Sequence, residues 1–278
     1  MRQLQCGRFV LSLDRPLVMG IVNVTPDSFF DGGRHNSKDA AIAHARALLA
    51  ERADILDIGG ESTRPGAPTV SIDEELDRVI PVLEALRDLG VPLSVDTRKP
   101  QVMRAALAVG VDLVNDIAAL EGDGALALIA ASRAAVCLMH KQGDPQTMQA
   151  APSYVDVVAE VADYLARRRD AALCAGIVPE RILLDPGFGF GKTLEHNAAV
   201  FRAMSRMREE LGCPLLVGVS RKSMLGQIAG RQVGERMPAS IAAAVLAAQA
   251  GAAVIRVHDV AETVDALKVW QVLGSRSD

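Results

Sequence analysis

Short apolar runs recur along the chain, eight in all, and each stops at a polar residue. In order they end at Asn23 in VMGIVN, Asp57 in DILDIGGEST, Asp96 in PLSVD, Asn115 in DLVND, His140 in VCLMH, Asp185 in ILLDPG, Ser220 to Lys222 in LLVGVSRK, and Arg256 with His258 in VIRVHD. Runs that are apolar throughout read as strands buried on both faces, the pattern of a parallel sheet covered by helices. Each gap between runs is long enough for one helix. Residues 40–52 read as the first helix, and Ser71 followed by Glu74 reads as a capping box opening the next. Pro92 and Pro214 stand at strand entries, where no backbone N–H is needed. Residues 3–13, with Gly7 between two short runs, predict a hairpin. The whole predicts an α/β fold, a (β/α)8 TIM barrel with the hairpin capping its bottom and one active-site mouth at the C-terminal strand ends. A doubly wound open sheet is the competing arrangement; eight units rather than five or six favour closure.

Length and composition narrow the picture. The chain has 278 residues, near the roughly 250 typical of one such barrel. No low-complexity stretch or Pro/Ser linker divides it, so residues 1–278 read as one domain with the barrel proper at about 17–273. A formal charge of -4 gives no general attraction to nucleic acid or to acidic membranes. The four cysteines, Cys6, Cys137, Cys174 and Cys213, lack CxxC spacing and read as reduced, structural thiols. The N-terminal residues show no long apolar signal region, and the stretch from Ile241 to Ile255 is short of the roughly 20 residues a bilayer span requires. A cytoplasmic location follows by default.

The strand ends carry the candidate chemistry. In the first loop, Asn23 to Gly33, Asn23 offers a hard oxygen suited to Mg2+, while Asx-turn and cap chemistry accounts equally for Asp27, Ser28 and Asp31. The second loop, DIGGESTRPG, joins glycines to Thr63 and Arg64, donors for an anion; a surface ion pair is the plainer reading of Arg64. Its length and glycines suggest a lid. Asp96, Asn115 and Asp185 suit a nitrogen heterocycle, since one carboxylate matches an adjacent pair of N–H donors and Asn supplies both a donor and an acceptor. Any one of them alone would serve as a helix cap.

DPGFGFGKT, Asp185 to Thr193, resembles a nucleotide loop and fails both tests. Pro186 stands where a Walker A glycine belongs, and Lys192 where GxGxxG requires glycine. Its glycines instead let backbone pass close to a flat ligand, with Phe188 or Phe190 against the ring or in the core. SRKS and RVHD bring positive charge. Arg256 and His258 share one side of their strand and form a candidate phosphate clamp, with a core histidine as the alternative for His258. Lys222 reads as a Schiff-base nucleophile or, lacking a visible base partner, as a hydrogen-bond donor.

The segments NVTPDSF, GGESTRPG, SVDT, NDI, MHKQG, LLDPGFGFGK, VSRKS and IRVHD, in that order from about Leu17 to Trp270, resemble the dihydropteroate synthase family. That family condenses 6-hydroxymethyl-7,8-dihydropterin diphosphate with p-aminobenzoate, releasing pyrophosphate and 7,8-dihydropteroate in folate biosynthesis, and sulfonamides mimic its aminobenzoate substrate. The resemblance implies that Asp96, Asn115, Asp185 and Lys222 hold the pterin with Met139 against its ring. It implies that Asn23 helps bind Mg2+, that Thr63, Arg64, Arg256 and His258 receive the diphosphate, and that Phe29, Pro65, Phe190 and Ser223 border the aminobenzoate. Asp96, Lys222, Arg256 and Arg64 become the expected catalytic set, and family likeness implies a homodimer, for which the Ala-rich stretch from Ser240 to Gln249 offers a smooth packing face. Phe30, Arg98 and Lys141 depart from the family's usual residues without removing a proposed ligand.

Departure of diphosphate before amine attack is the expected order, because the reduced pterin can delocalise the charge left on its exocyclic methylene. Two other functions fit parts of the pattern. A pterin-dependent methyltransferase on the same barrel would need no diphosphate clamp, and a non-catalytic pterin-binding protein would keep the fold without turnover.

Overall fold

The computed structural model describes residues 2–25, 34–62, 66–144 and 147–274. The chain enters through an antiparallel hairpin of β1 (Gln3–Cys6) and β2 (Phe9–Ser12). There follow β3 (Leu17–Asn23), β4 (Ile55–Gly59), β5 (Leu93–Asp96), β6 (Leu113–Asp116), β7 (Ala135–Met139), β8 (Ile182–Asp185), β9 (Leu216–Val217) and β10 (Val254–Val257). These eight run parallel in one sheet, in the order β8-β7-β6-β5-β4-β3-β10-β9. The sheet closes into a nearly complete barrel through one parallel bridge, Leu184 to Leu215, where Leu184 N donates to Pro214 O at 3.1 Å. Pro214 serves this seam with its carbonyl, which explains why proline is tolerated there. The expected TIM barrel is therefore the observed one.

Helices separate the strands: α1 (Arg34–Ala50), α2 (Ile72–Leu86), α3 (Pro100–Val109), α4 (Ala125–Ala130), α5 (Val157–Cys174), α6 (Leu194–Arg202), α7 (Met204–Leu211), α8 (Ser223–Ala229), α9 (Met237–Gln249) and α10 (Val260–Leu273). α1 starts six residues earlier than the apolar pattern predicts, its first turns carrying polar residues that leave no periodicity to read. Before α2, Ser71 Oγ accepts from Glu74 N at 3.2 Å, but the Glu74 carboxylate turns to Arg78, so only half of the expected capping box forms.

Strand alternation sorts the side chains into two cores. Outward residues such as Val18, Val22, Leu56, Ile58, Val114 and Leu138 pack against the helices. Inward residues at the N-terminal end, among them Met19, Ile55, Leu113, Leu183 and Val254, form a second core with Leu4 and Cys6 of the hairpin. The hairpin thus plugs the barrel bottom, as expected. Its turn is held by Asp112, which accepts from Arg8 N at 3.0 Å and Arg8 Nη2 at 2.8 Å. Gly7 has φ +56°, and a Cβ there would lie 2.5 Å from Asp112 Oδ1, so both backbone and space require glycine.

All four cysteines are free, as expected; Cys6, Cys137 and Cys213 are buried, while Cys174, at the end of α5, is exposed and has no core role. Helix amphipathicity places its position on the solvent side. Among the described residues no helix is long and apolar enough to cross a membrane.

Because Leu4 is fully buried in the plug, Leu4→Ala is expected to cost about 2–5 kcal/mol, seen as a lower urea midpoint at unchanged slope.

Candidate active site

Directly above the apolar plug, the inward positions of the same strands turn polar. Asp57 in β4, Asp96 ending β5, Asn115 in β6, Asp185 ending β8 and Arg256 in β10 face one another across the barrel. Arg256 Nε donates to Asp57 Oδ2 at 2.5 Å and Arg256 Nη2 to Asp96 Oδ2 at 2.7 Å. Asn115 Nδ2 donates to the same Asp57 oxygen at 3.1 Å. Three of the predicted strand-end residues, Asp57, Asp96 and Asn115, are thereby linked to one guanidinium, Asn115 through Asp57.

Burial sets the electrostatics. It pushes the Asp96 carboxyl up to about 7, with Arg256 pulling the other way and the Asp57 charge adding to the rise. Asp185 is raised by burial too, opposed by Lys222 and by the Gly187 N–H that donates to its Oδ1 at 2.7 Å. Burial lowers Lys222 to about 8 despite the attraction of Asp185. For Arg256, burial works against the charge, but Asp57 and Asp96 more than offset it and the guanidinium stays protonated. The cluster is one in which opposite charges are held close with little water to screen them.

Lys222 is the residue before α8. Its ammonium donates to Phe188 O and lies 4.7 Å from the centre of the Phe190 ring. Among the described residues its interactions are those of a donor and a cation over a ring, which favours the donor reading over the nucleophile. Ser223 opens α8 and is exposed. His258 is part-buried, its Nδ1 at 3.0 Å from Ser220 Oγ, a hydroxyl that also accepts from His258 N at 3.2 Å. The adjacent Arg221 holds φ +58° and pairs with Asp259, while its N–H donates to Ser240 Oγ at 2.9 Å. That left-handed residue turns the chain sharply between Ser220 and Lys222.

The Gly-rich loop after β8 divides its two phenylalanines. Phe188 is fully buried and packs on Phe201, while Phe190 joins Ile117, Met139 and Met148 in a small apolar cluster beside the polar layer. Met139 and Phe190 thus stand together, as a flat ligand needs; Phe188 belongs to the core. Met148 was not legible as a partner, because it comes from the irregular loop before α5 and no periodicity marks it.

His140 and Lys192 explain the loop's shape. The buried Lys192 ammonium directs its protons to His140 Nδ1 at 2.9 Å, Gly187 O at 2.9 Å and Phe190 O at 3.3 Å. Burial first, then Lys192, lowers His140 to about 3, so its ring is neutral, with Nδ1 the acceptor and the proton on Nε2. Burial lowers Lys192 to about 7. Gly187 passes so close to His140 that a Cβ would lie 1.8 Å from its carbonyl oxygen, and its φ is +71°. The lysine that broke the nucleotide-loop pattern is the residue that ties this turn down.

Thr63, Arg64, Pro65 and Phe29 lie outside the described residues. Beside them, Glu61 accepts from Val70 N at 3.1 Å and pairs with Arg98 at 3.2 Å and Lys99 at 3.4 Å, so Arg98 anchors the base of the second loop. Asn23 ends β3 half-buried, in register with Gly59. Among the described residues no group of three or more His, Cys, Asp or Glu side chains is gathered as for a metal.

The profile of a family described as pterin binding enzyme matches residues 19–258. The dihydropteroate synthase of Neisseria meningitidis serogroup B is 54% identical over 276 residues, 97% of each chain. The chain belongs to the dihydropteroate synthase family. A solved dihydropteroate synthase from Xanthomonas albilineans with 4-aminobenzoic acid superposes with a TM-score of 0.94 at 53% identity, covering 99% of both chains. Another from the same organism, in complex with 7,8-dihydropteroate, superposes with a TM-score of 0.88 at 48% identity over the whole of both chains. Within the family fold, the polar layer described above occupies the C-terminal strand ends where barrel enzymes place their chemistry.

Lys192→Met removes the donor for three buried acceptors, each worth about 1–3 kcal/mol when left unsatisfied. Thermal unfolding is expected at a clearly lower temperature, with faster amide exchange over residues 187–191.

Proposed function

We infer that the chain is a dihydropteroate synthase, a transferase that joins the dihydropterin-methyl group of 6-hydroxymethyl-7,8-dihydropterin diphosphate to p-aminobenzoate and releases pyrophosphate. The observation that carries this reading is the inward layer of Asp96, Asn115, Asp185 and Arg256 beside Lys222. It offers carboxylates and an amide for a heterocycle, next to cations for a diphosphate, at the mouth of one barrel.

In this assignment Asp185 accepts the pair of N–H donors on the pterin's pyrimidine edge, while Asp96 and Asn115 fix the other edge. Lys222 donates to the pterin, and Met139, with Phe190 beside it, packs against one face of the ring. Arg256 and His258, with Thr63 and Arg64 of the second loop, take the diphosphate as its charge grows. Phe29, Pro65, Phe190 and Ser223 border p-aminobenzoate. Arg256 must give up part of its present pairing, or share it, when the diphosphate arrives. The arylamine is nucleophilic when neutral, so the protein supplies position rather than a strong base. Loss of diphosphate precedes attack, the reduced pterin delocalising the charge left on its exocyclic methylene.

Mg2+ fits the residues present. Asn23 offers a hard amide oxygen at a strand end facing the site, and Mg2+ typically takes one or two protein ligands and fills its shell with water and phosphate oxygens. When bound, it would neutralise part of the charge on the leaving diphosphate. The reading further assigns residues 1–278 to one pterin-binding domain, a cytoplasmic location and a homodimer packed in part through α9, with small molecules rather than nucleic acid or membrane as partners.

Product formation from the two substrates with Mg2+ tests the assignment. Asp185→Asn is expected to lower kcat/KM for the dihydropterin substrate roughly ten- to a hundredfold, the worth of a charge-assisted hydrogen bond, and Arg256→Ala by more. Full activity in both variants would refute the site. Methyl transfer to a corrinoid, or pterin binding without turnover, would return the other two functions.

The acid side of the pH profile has a definite sign. The ionised Asp96 is the acceptor and the partner of Arg256, and burial raises its pKa to about 7. Activity should therefore fall as pH drops through neutrality, in a titration of kcat/KM against pH, rather than hold to the pH near 4 of an ordinary carboxylate.

A further inference from the structure

Asp57 has no substrate contact assigned to it, yet it is the most enclosed acid of the barrel interior. No part of it is exposed, and it lies inside β4, two residues before the strand ends. Its Oδ2 accepts from both Arg256 Nε and Asn115 Nδ2, while its Oδ1 is buried without a hydrogen-bond partner in the described structure. Ser94, its register partner on β5, has a hydroxyl in the same state.

The geometry of this carboxylate is unusual for a residue that only stabilises a fold. A buried ion pair recovers little of its desolvation cost, and an apolar side chain would fill the same space more favourably. One oxygen of Asp57 is left unused, so the carboxylate is not placed to maximise its own bonding. What it achieves is connection. In the sheet, β4 is flanked by β3 and β5, so Asn115 on β6 and Arg256 on β10 each lie two strands away, on opposite sides. Backbone pairing alone does not link those two residues; the Asp57 carboxylate does, across the inside of the barrel. Asp96 then holds the far end of the guanidinium at 2.7 Å. A planar guanidinium gripped at two nitrogens cannot rotate without breaking a charged hydrogen bond.

We propose that Asp57 is a positioning residue of the condensation, acting through Arg256 and Asn115 to hold the diphosphate-facing guanidinium and the pterin-facing amide in a fixed relation before substrate arrives. This rests on the dihydropteroate synthase reading and deepens it: the specificity for a pterin carrying a diphosphate comes from one buried carboxylate that joins the two halves of the site. A lumen acid that couples two strands converts their separate side chains into a preorganised pair, and displacement by even about 1 Å in such a pair costs on the order of a hundredfold in rate.

Asp57→Asn keeps the shape and one acceptor oxygen but removes the charge that fixes the guanidinium. With the full chain, the expected result is a fall of about tenfold or more in kcat/KM for dihydropterin diphosphate, with the KM for p-aminobenzoate within about twofold of wild type. In a double-mutant cycle with Arg256→Lys, the pair should lose less than the product of the single losses, because both changes act through one group. Unchanged kcat/KM in folded Asp57→Asn would overturn the proposal. So would equal losses for both substrates that track a loss of folded protein, or strictly multiplicative losses in the cycle. Should Asp57→Asn not fold, Arg256→Lys decides: a lysine keeps the charge but cannot be gripped at two points, and full retention of kcat/KM for dihydropterin diphosphate would sink the idea. If the wild-type chain turned over neither substrate, the functional reading would fall, and the same variants would be judged on calorimetric affinity for dihydropterin diphosphate by the same tenfold criterion.

Discussion

Inside a closed parallel barrel there is little solvent, so every inward polar group must find its partner among other inward groups. That constraint organises this protein. At the N-terminal end it is met by filling the lumen with apolar side chains: the hairpin's Leu4 and Cys6 complete the plug. One layer higher, three carboxylates, an amide and a guanidinium share the interior, and they persist there because Arg256 is held by Asp57 and Asp96 while Asn115 is held by Asp57. The border between plug and charged layer falls within single strands: Ile55 belongs to one and Asp57 to the other.

The same requirement shapes the loops. The turn after β8 brings its backbone against His140, and its carbonyls would be stranded there without donors. Lys192 provides them at Gly187 O and Phe190 O, and Lys222 at Phe188 O. Each lysine is costly to bury, and each carries a pKa lowered by that burial. The two lysines also act on Asp185, where their charge opposes the rise that burial causes. Structure of the loop and chemistry of the pocket draw on the same two side chains.

Family membership and the polar layer support each other without being the same observation. Similarity over nearly the whole chain shows which family the fold and motifs belong to. The arrangement of Arg256 among its carboxylates is what supports the proposed placement of a diphosphate next to a heterocycle, and it gives the buried cation fixed partners.

Much of the fold was legible from the chain alone. Apolar runs of strand length, each closed by a polar residue, mark eight buried parallel strands, because a two-residue alternation with both faces buried leaves few other solutions. The strand-end positions of Asp96, Asp185 and His140, and the hairpin around Gly7, follow from the same local rules. Roles were less legible. Asp57 looked like one more strand end, and its place as hub exists only because β6 and β10 curve round to face β4. Arg256 and His258 looked like a matched clamp, but the first is bound by two acids and the second by Ser220. His140 had no evident task until Lys192 arrived from a loop 52 residues later in the sequence. Periodicity and motif spacing act between near neighbours, so they determine which elements form and which residues lie at their ends. Which buried charge meets which partner depends on barrel closure, a long-range event, and only the tertiary structure decided it.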